Sequence, residues 1–111
     1  GGIPEVTVHD VYEHRKNVML IDVRRPEEFN NEYGHIEGAR LVTLGPELEQ
    51  FLQTADKEQE IVFICRSGGR SAQATELALS MGFKHAANMA GGMITWNLHQ
   101  LPVERNTEVR S

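Results

Sequence analysis

The chain has 111 residues, enough for one compact domain and too few for two ordinary ones. Its 40% apolar and 24% charged content is that of a globular protein, not a disordered or fibrous one. The formal charge of −5, with basic residues scattered, argues against nucleic acid as a partner, and no run of about 18 apolar residues is present to span a membrane.

Thr7 caps a predicted helix to about Lys16, with Asp10 at its third position and Val8, Val11 and Tyr12 at helical spacing. Val18 to Ile21 is a continuous apolar run ending at Asp22, as expected of a strand covered on both faces. Pro26 opens a second helix, with Glu27 and Glu28 in its first turn, carrying Phe29 inward and stopping near Gly34. Leu41-Val42 reads as a short strand. Gly45-Pro46 then opens a helix in which Leu48, Phe51 and Leu52 share a face. Residues 55–60 form a polar loop before Ile61 to Ile64, the strongest strand, which delivers Cys65 at its C-terminal end.

A glycine-containing loop, Arg66 to Arg70, leads to a helix predicted over about Ser71 to Met81 and closed by Gly82. Another short strand lies within Phe83 to Met89. Gly91-Gly92 breaks the chain before a last helix with Met93, Ile94 and Trp96, and the polar residues 104–111 are expected to fray. Strands alternating with helices predict an α/β fold with a mainly parallel sheet in a single domain. In such folds ligands bind outside the carboxyl ends of the strands, where Cys65 lies.

Cys65 is the only cysteine, so no internal disulfide forms, and a reaction needing a second thiol must borrow it from another molecule. The segment Cys65-Arg-Ser-Gly-Gly-Arg-Ser71 joins a buried strand to a helix start. A tight glycine-containing turn converges backbone N–H groups on one point, and the helix N-terminus adds more. Such a cradle, with Arg66 and Arg70 adding fixed positive charge, favours thiolate over thiol and attracts an anionic donor. A cysteine ending a strand can be merely a small buried hydrophobe. That alternative leaves the two arginines and two glycines of the next five residues unexplained.

The set of segments resembles the rhodanese family. The matching pieces are Leu20-Ile-Asp-Val-Arg24 with Pro26 and Glu28-Phe29, Gly34-His-Ile-Glu-Gly-Ala39, and Ile61-Val-Phe-Ile-Cys65. Gly82-Phe83, Asn88-Met-Ala-Gly-Gly92 and Trp96 follow, so the match runs in order from about residue 5 to 103. The resemblance implies a rhodanese-like fold, a five-stranded mainly parallel sheet flanked by helices on both faces. It implies transfer of a sulfane sulfur, for example from thiosulfate, through a Cys65 persulfide to a thiophilic acceptor such as cyanide or a protein thiol. The N–H groups of Arg66, Ser67, Gly68, Gly69, Arg70 and Ser71 would hold the extra sulfur, with the Ser67 and Ser71 hydroxyls as further donors or Ser71 serving only as part of the helix start. No cofactor is expected, and the chain is expected to act as a monomer.

Other polar residues receive plainer readings. The resemblance places Asp22 and Arg24 at a structural turn and makes His35 a turn residue bonded to backbone. His9, His14, His85 and His99 are expected at the surface, and Trp96 in the core or a pocket wall. Glu47, Glu49, Glu58 and Glu60 read as solvated charge. No two histidines are three or four apart, so no metal site is expected.

Two rival functions are weighed. A phosphatase or arsenate reductase on the related fold needs an arginine six positions after the cysteine. Here that position is Ser71, and Arg70 falls one short, which gives a smaller cradle. A partner-binding module or dedicated sulfur relay is the other rival. The cytoplasm is the default compartment, and the start at Gly-Gly-Ile-Pro without Met is compatible with a signal already removed.

Overall fold

The structure is a computed structural model and describes residues 2–105. Five strands form one sheet: β1 (Glu5–Val6), β2 (Met19–Asp22), β3 (Arg40–Leu41), β4 (Ile61–Ile64) and β5 (Ala86–Met89). They lie in the order β1-β5-β4-β2-β3, and every pairing is parallel. The helices are α1 (Val8–His14), α2 (Pro26–Phe29), α3 (Pro46–Thr54), α4 (Gly69–Ser80) and α5 (Gly92–Leu98). No helix among the described residues is long and apolar enough to cross a membrane.

The central strand β4 shows why its sequence is apolar throughout. Successive side chains point to opposite faces, so Ile61 and Phe63 join Leu48, Leu52, Ala74 and Ala78 of α3 and α4. Val62 and Ile64 pack on the other face with Val8, Val11, Met93 and Trp96 of α1 and α5. With helices on both faces, a polar residue anywhere in β4 would be buried. Cys65, the next residue along, returns to the α3–α4 face and is 1% exposed.

The α1 cap forms as the sequence predicts. Asp10 N–H donates to Thr7 Oγ1 at 3.0 Å, and Thr7 N–H donates to the Asp10 carboxylate at 3.4 Å. Other boundaries differ. Helix α1 ends at His14 and not near Lys16, and β3 begins one residue early, at Arg40. Helix α2 ends at Phe29 and does not run on to Gly34. There the Asn31 side chain accepts from Tyr33 N–H at 3.1 Å, a local bond that competes with helical continuation. Strand β1 carries no sequence signal: two residues long, it exists by pairing Glu5 with Asn88 and Val6 with Met89.

The chain's polar end, expected to fray from 104, lies mostly outside the described residues. Glu104 itself is anchored, its N–H donating to His35 O at 2.8 Å and its carbonyl accepting from His35 N–H at 2.9 Å.

A buried ion pair closes the turn after β2. Asp22 and Arg24 are both 0% exposed. Arg24 Nε and Nη2 donate to the two Asp22 oxygens at 2.9 and 2.7 Å, and Nη2 also reaches Gly34 O at 2.8 Å. This is the structural role expected of the pair. Removing one partner of a buried pair strands the other charge in the interior, at a cost of about 3–5 kcal/mol. Arg24→Ala should therefore lower stability in urea denaturation by about that amount, a loss of several times what an exposed arginine such as Arg40 would show.

Candidate active site

The C-terminal edge of the parallel sheet gathers three segments: the turn after β2, the loop after β4 and the glycine pair after β5. The loop between β4 and α4 wraps around Cys65 Sγ. Gly68 N–H donates to the sulfur at 3.0 Å, Ser71 N–H at 3.3 Å and the Ser71 hydroxyl stands at 3.2 Å. The tight wrap needs Gly68, whose φ of 107° is a left-handed conformation that other residues rarely adopt. With Gly68 as its cap, α4 begins at Gly69 and not near Ser71 as predicted. Arg70 and Ser71 thus belong to the first helical turn, and of its unpaired N–H groups that of Ser71 meets the sulfur.

Burial pushes the Cys65 thiol up. The Ser71 hydroxyl and the N–H groups of Ser71, Gly68 and Ser67 outweigh it, holding the thiol below its ordinary value of 9.0. Arg66, Ser67 and Gly69 are exposed at the loop's outer side.

The two arginines are not equivalent. Arg66 stands over the Tyr33 ring, 5.4 Å from its centroid. Arg70 is engaged in a two-pronged bond to Glu28 of α2, at 2.7 and 2.9 Å. The Arg70 bond is the main reason the Glu28 carboxyl is lowered from 4.5 to about 2. Both arginines are expected from the sequence as fixed positive charge that attracts an anionic donor, but Arg70 is largely compensated by a residue 42 positions away.

The sequence reading did not single out Asn88 or Gly92 as site residues. Asn88 is 1% exposed on β5; its Oδ1 accepts from the Ser71 hydroxyl at 2.5 Å. Gly92 passes so close to the loop that a Cβ there would lie 2.5 Å from Arg66 O and 2.6 Å from Cys65 O. The next two N–H groups use this proximity: Met93 donates to Cys65 O at 2.9 Å and Ile94 to Arg66 O at 3.0 Å. The available signal is the segment Asn88 to Gly92, which reads from the sequence as a chain break and as part of the family resemblance, without a site role.

His35 is buried, its Nδ1 3.0 Å from Phe29 O and its ring stacked on Phe29. His9, His14, His85 and His99 are exposed, and Trp96 is 0% exposed, its Nε1 donating to Pro102 O. Among the described residues, no three metal-ligating side chains cluster. A mainly apolar cavity of about 280 Å³, lined by Val6, Val11, Val18 and Val62, lies beside Glu60 and His85 at the opposite end of the strands. It is remote from this chemistry.

Compared with known proteins, residues 7–99 match the model of the rhodanese-like domain. The chain belongs to the rhodanese-like domain family. It is 36% identical over 94 residues to YtwF of Bacillus subtilis, provisionally named a sulfurtransferase, covering 85% of this chain and 87% of that one. The human single-domain sulfurtransferase TSTD1 superposes with a TM-score of 0.76 at 32% identity, covering 91% of this chain and all of that one. A protein of unknown function from Rhodopseudomonas palustris, described as a possible tyrosine phosphatase, superposes with a TM-score of 0.81 at 31% identity, covering 92% and 85%. The relatives named sulfurtransferases support sulfur transfer in general for this rhodanese domain.

Two measurements check the site's construction. Gly92→Ala places a methyl group within 2.5–2.6 Å of the Cys65 and Arg66 backbone, at a φ of 61°. It should lower stability by at least about 2 kcal/mol in urea denaturation. The Glu28 carboxyl is depressed on folding, so its contribution is present above pH 4.5 and is lost as pH falls toward about 2. The stability difference between wild type and Glu28→Gln should therefore be flat above that range and shrink through it.

Proposed function

We propose that this rhodanese domain is a thiosulfate-type sulfurtransferase in which Cys65 carries a sulfane sulfur as a persulfide. The observation that carries the reading is the set of donors 3.0–3.3 Å from Cys65 Sγ at the end of β4. A thiolate held by these groups needs no separate base to become a nucleophile. It attacks the outer sulfur of thiosulfate, the new S–S bond forms, the bond to the sulfonate sulfur breaks, and sulfite leaves with the electron pair. Cyanide or an acceptor thiolate then attacks the outer sulfur of the persulfide and regenerates the Cys65 thiolate. N–H groups of the loop from Arg66 to Ser71 hold the transferred sulfur, which brings negative charge into a cradle already built for an anion. Arg66 steers the donor, while Arg70 is tied to Glu28 and contributes less free charge.

The phosphatase reading has less support. The sixth residue after Cys65 is Ser71, 0% exposed and touching the sulfur itself, and Arg70 is engaged by the Glu28 carboxylate. Among the described residues, the donors to Sγ are backbone N–H groups and the Ser71 hydroxyl, with no guanidinium among them.

Intact mass after incubation with thiosulfate should show a gain of one sulfur, about 32 Da for a persulfide on the nucleophile. Cyanide should reverse it, and Cys65→Ser should lack it. The loading rate should fall as pH drops through the thiol's ionisation, whose midpoint lies below 9.0. No gain from thiosulfate, with loading from a protein persulfide, would replace this reading with a dedicated relay. Turnover of an aryl phosphate in place of sulfur loading would replace it with a phosphatase.

A further inference from the structure

The Ser71 hydroxyl has one proton and two acceptors in reach, Cys65 Sγ at 3.2 Å and Asn88 Oδ1 at 2.5 Å. The orientation of the Asn88 amide is fixed by its other end. Nδ2 donates to the Glu5 carboxylate at 3.0 Å and to Gly68 O at 3.3 Å, and neither of those oxygens can donate. Oδ1 must therefore face Ser71 as an acceptor. All three side chains are buried, Ser71 at 0%, Asn88 and Cys65 at 1% exposure, so no bulk water settles the competition.

The geometry points to Asn88 as a positioning residue that competes with the Cys65 thiolate for the Ser71 proton and thereby restrains ionisation of the thiol. When Cys65 is a thiol, its S–H donates to Ser71 Oγ and the hydroxyl donates to Asn88. When Cys65 ionises, the hydroxyl turns to the sulfur and leaves buried Asn88 Oδ1 without its donor, which disfavours the thiolate. When the sulfur is loaded, Sγ becomes a neutral sulfide and the hydroxyl returns to Asn88. The rotor thus favours loaded and protonated cysteine over the bare thiolate. Only the consequence for turnover rests on the sulfur-carrier reading; the rotor itself does not.

The charged groups around the sulfur are Arg70 with Glu28 from α4 and α2, Arg66 on the loop, the Asp22–Arg24 pair after β2, and Glu5 of β1 behind Asn88. Replacing Asn88 by an apolar residue leaves all of these charges in the chain but also frees the carbonyl of Gly68, whose N–H meets Sγ, so the part of a midpoint change due to the hydroxyl is read by comparison with a Ser71→Ala background.

The test reads the pH dependence of Cys65 alkylation by iodoacetamide, which requires no sulfur transfer and so separates failure of this inference from failure of the proposed function. Asn88→Leu should move the midpoint down by about one pH unit, a tenfold gain in thiolate at lower pH. In a Ser71→Ala background the same substitution should no longer lower the midpoint. A midpoint that rises or stays in place overturns the inference, as does an equal shift without the Ser71 hydroxyl. If circular dichroism shows Asn88→Leu unfolded, Asn88→Val, better suited to a strand, takes its place. The wild-type protein gives a further reading: the Asn88 side-chain carbonyl ¹³C shift should titrate with the Cys65 midpoint, and a flat response overturns the inference without any variant.

Discussion

Each peptide unit in the loop after β4 is rigid and presents its C=O and its N–H in opposite directions. Anchoring the carbonyls therefore aims the amides. Met93 and Ile94 N–H hold the carbonyls of Cys65 and Arg66, so the following N–H groups of the loop are turned toward the sulfur side. One step further, Asn88 Nδ2 holds the Gly68 carbonyl, while Gly68 N–H itself meets Sγ. The anion cradle is thus set as much by what grips the back of the loop as by the loop's own sequence. This grip is possible only because Gly92 has no Cβ to keep the two backbones apart.

The same edge of the sheet carries a second fixed point, the Asp22–Arg24 pair. Its guanidinium satisfies the carboxylate and also the Gly34 and Glu28 carbonyls, at 2.8 and 3.2 Å. The turn after β2 and the end of α2 are thereby bound together. That in turn fixes Glu28, whose carboxylate holds Arg70 in the first turn of α4. A chain of polar contacts thus runs from a buried ion pair to the charge at the mouth of the candidate site, with every buried charge paired as the low dielectric demands.

Much of this was legible in the sequence. Continuous apolar runs at 18–21 and 61–64 mark strands buried on both sides, and the Thr7–Asp10 spacing marks a helix start. The cysteine at the end of the strongest strand, followed by two glycines, marks a turn on which N–H groups converge. The resemblance of the motif set to rhodaneses agrees with the family match and with the parallel five-stranded sheet. Boundaries were less secure where side chains compete with the backbone, as at Asn31, or where a left-handed glycine starts a helix early, as at Gly68.

Local sequence, by itself, determined where the chain is buried, where it turns, and which residue is the nucleophile candidate, because burial periodicity and turn chemistry are properties of neighbouring residues. It could not determine what stands opposite a given group. Strand β1 exists only through its partner β5, and Arg70 meets Glu28 from a different element. Asn88 reaches Ser71 because β5 lies beside β4, with Asn88 opposite Phe63 in the parallel register. These contacts follow from strand order and register, and strand order is decided by the collective packing of both sheet faces, which no short segment contains.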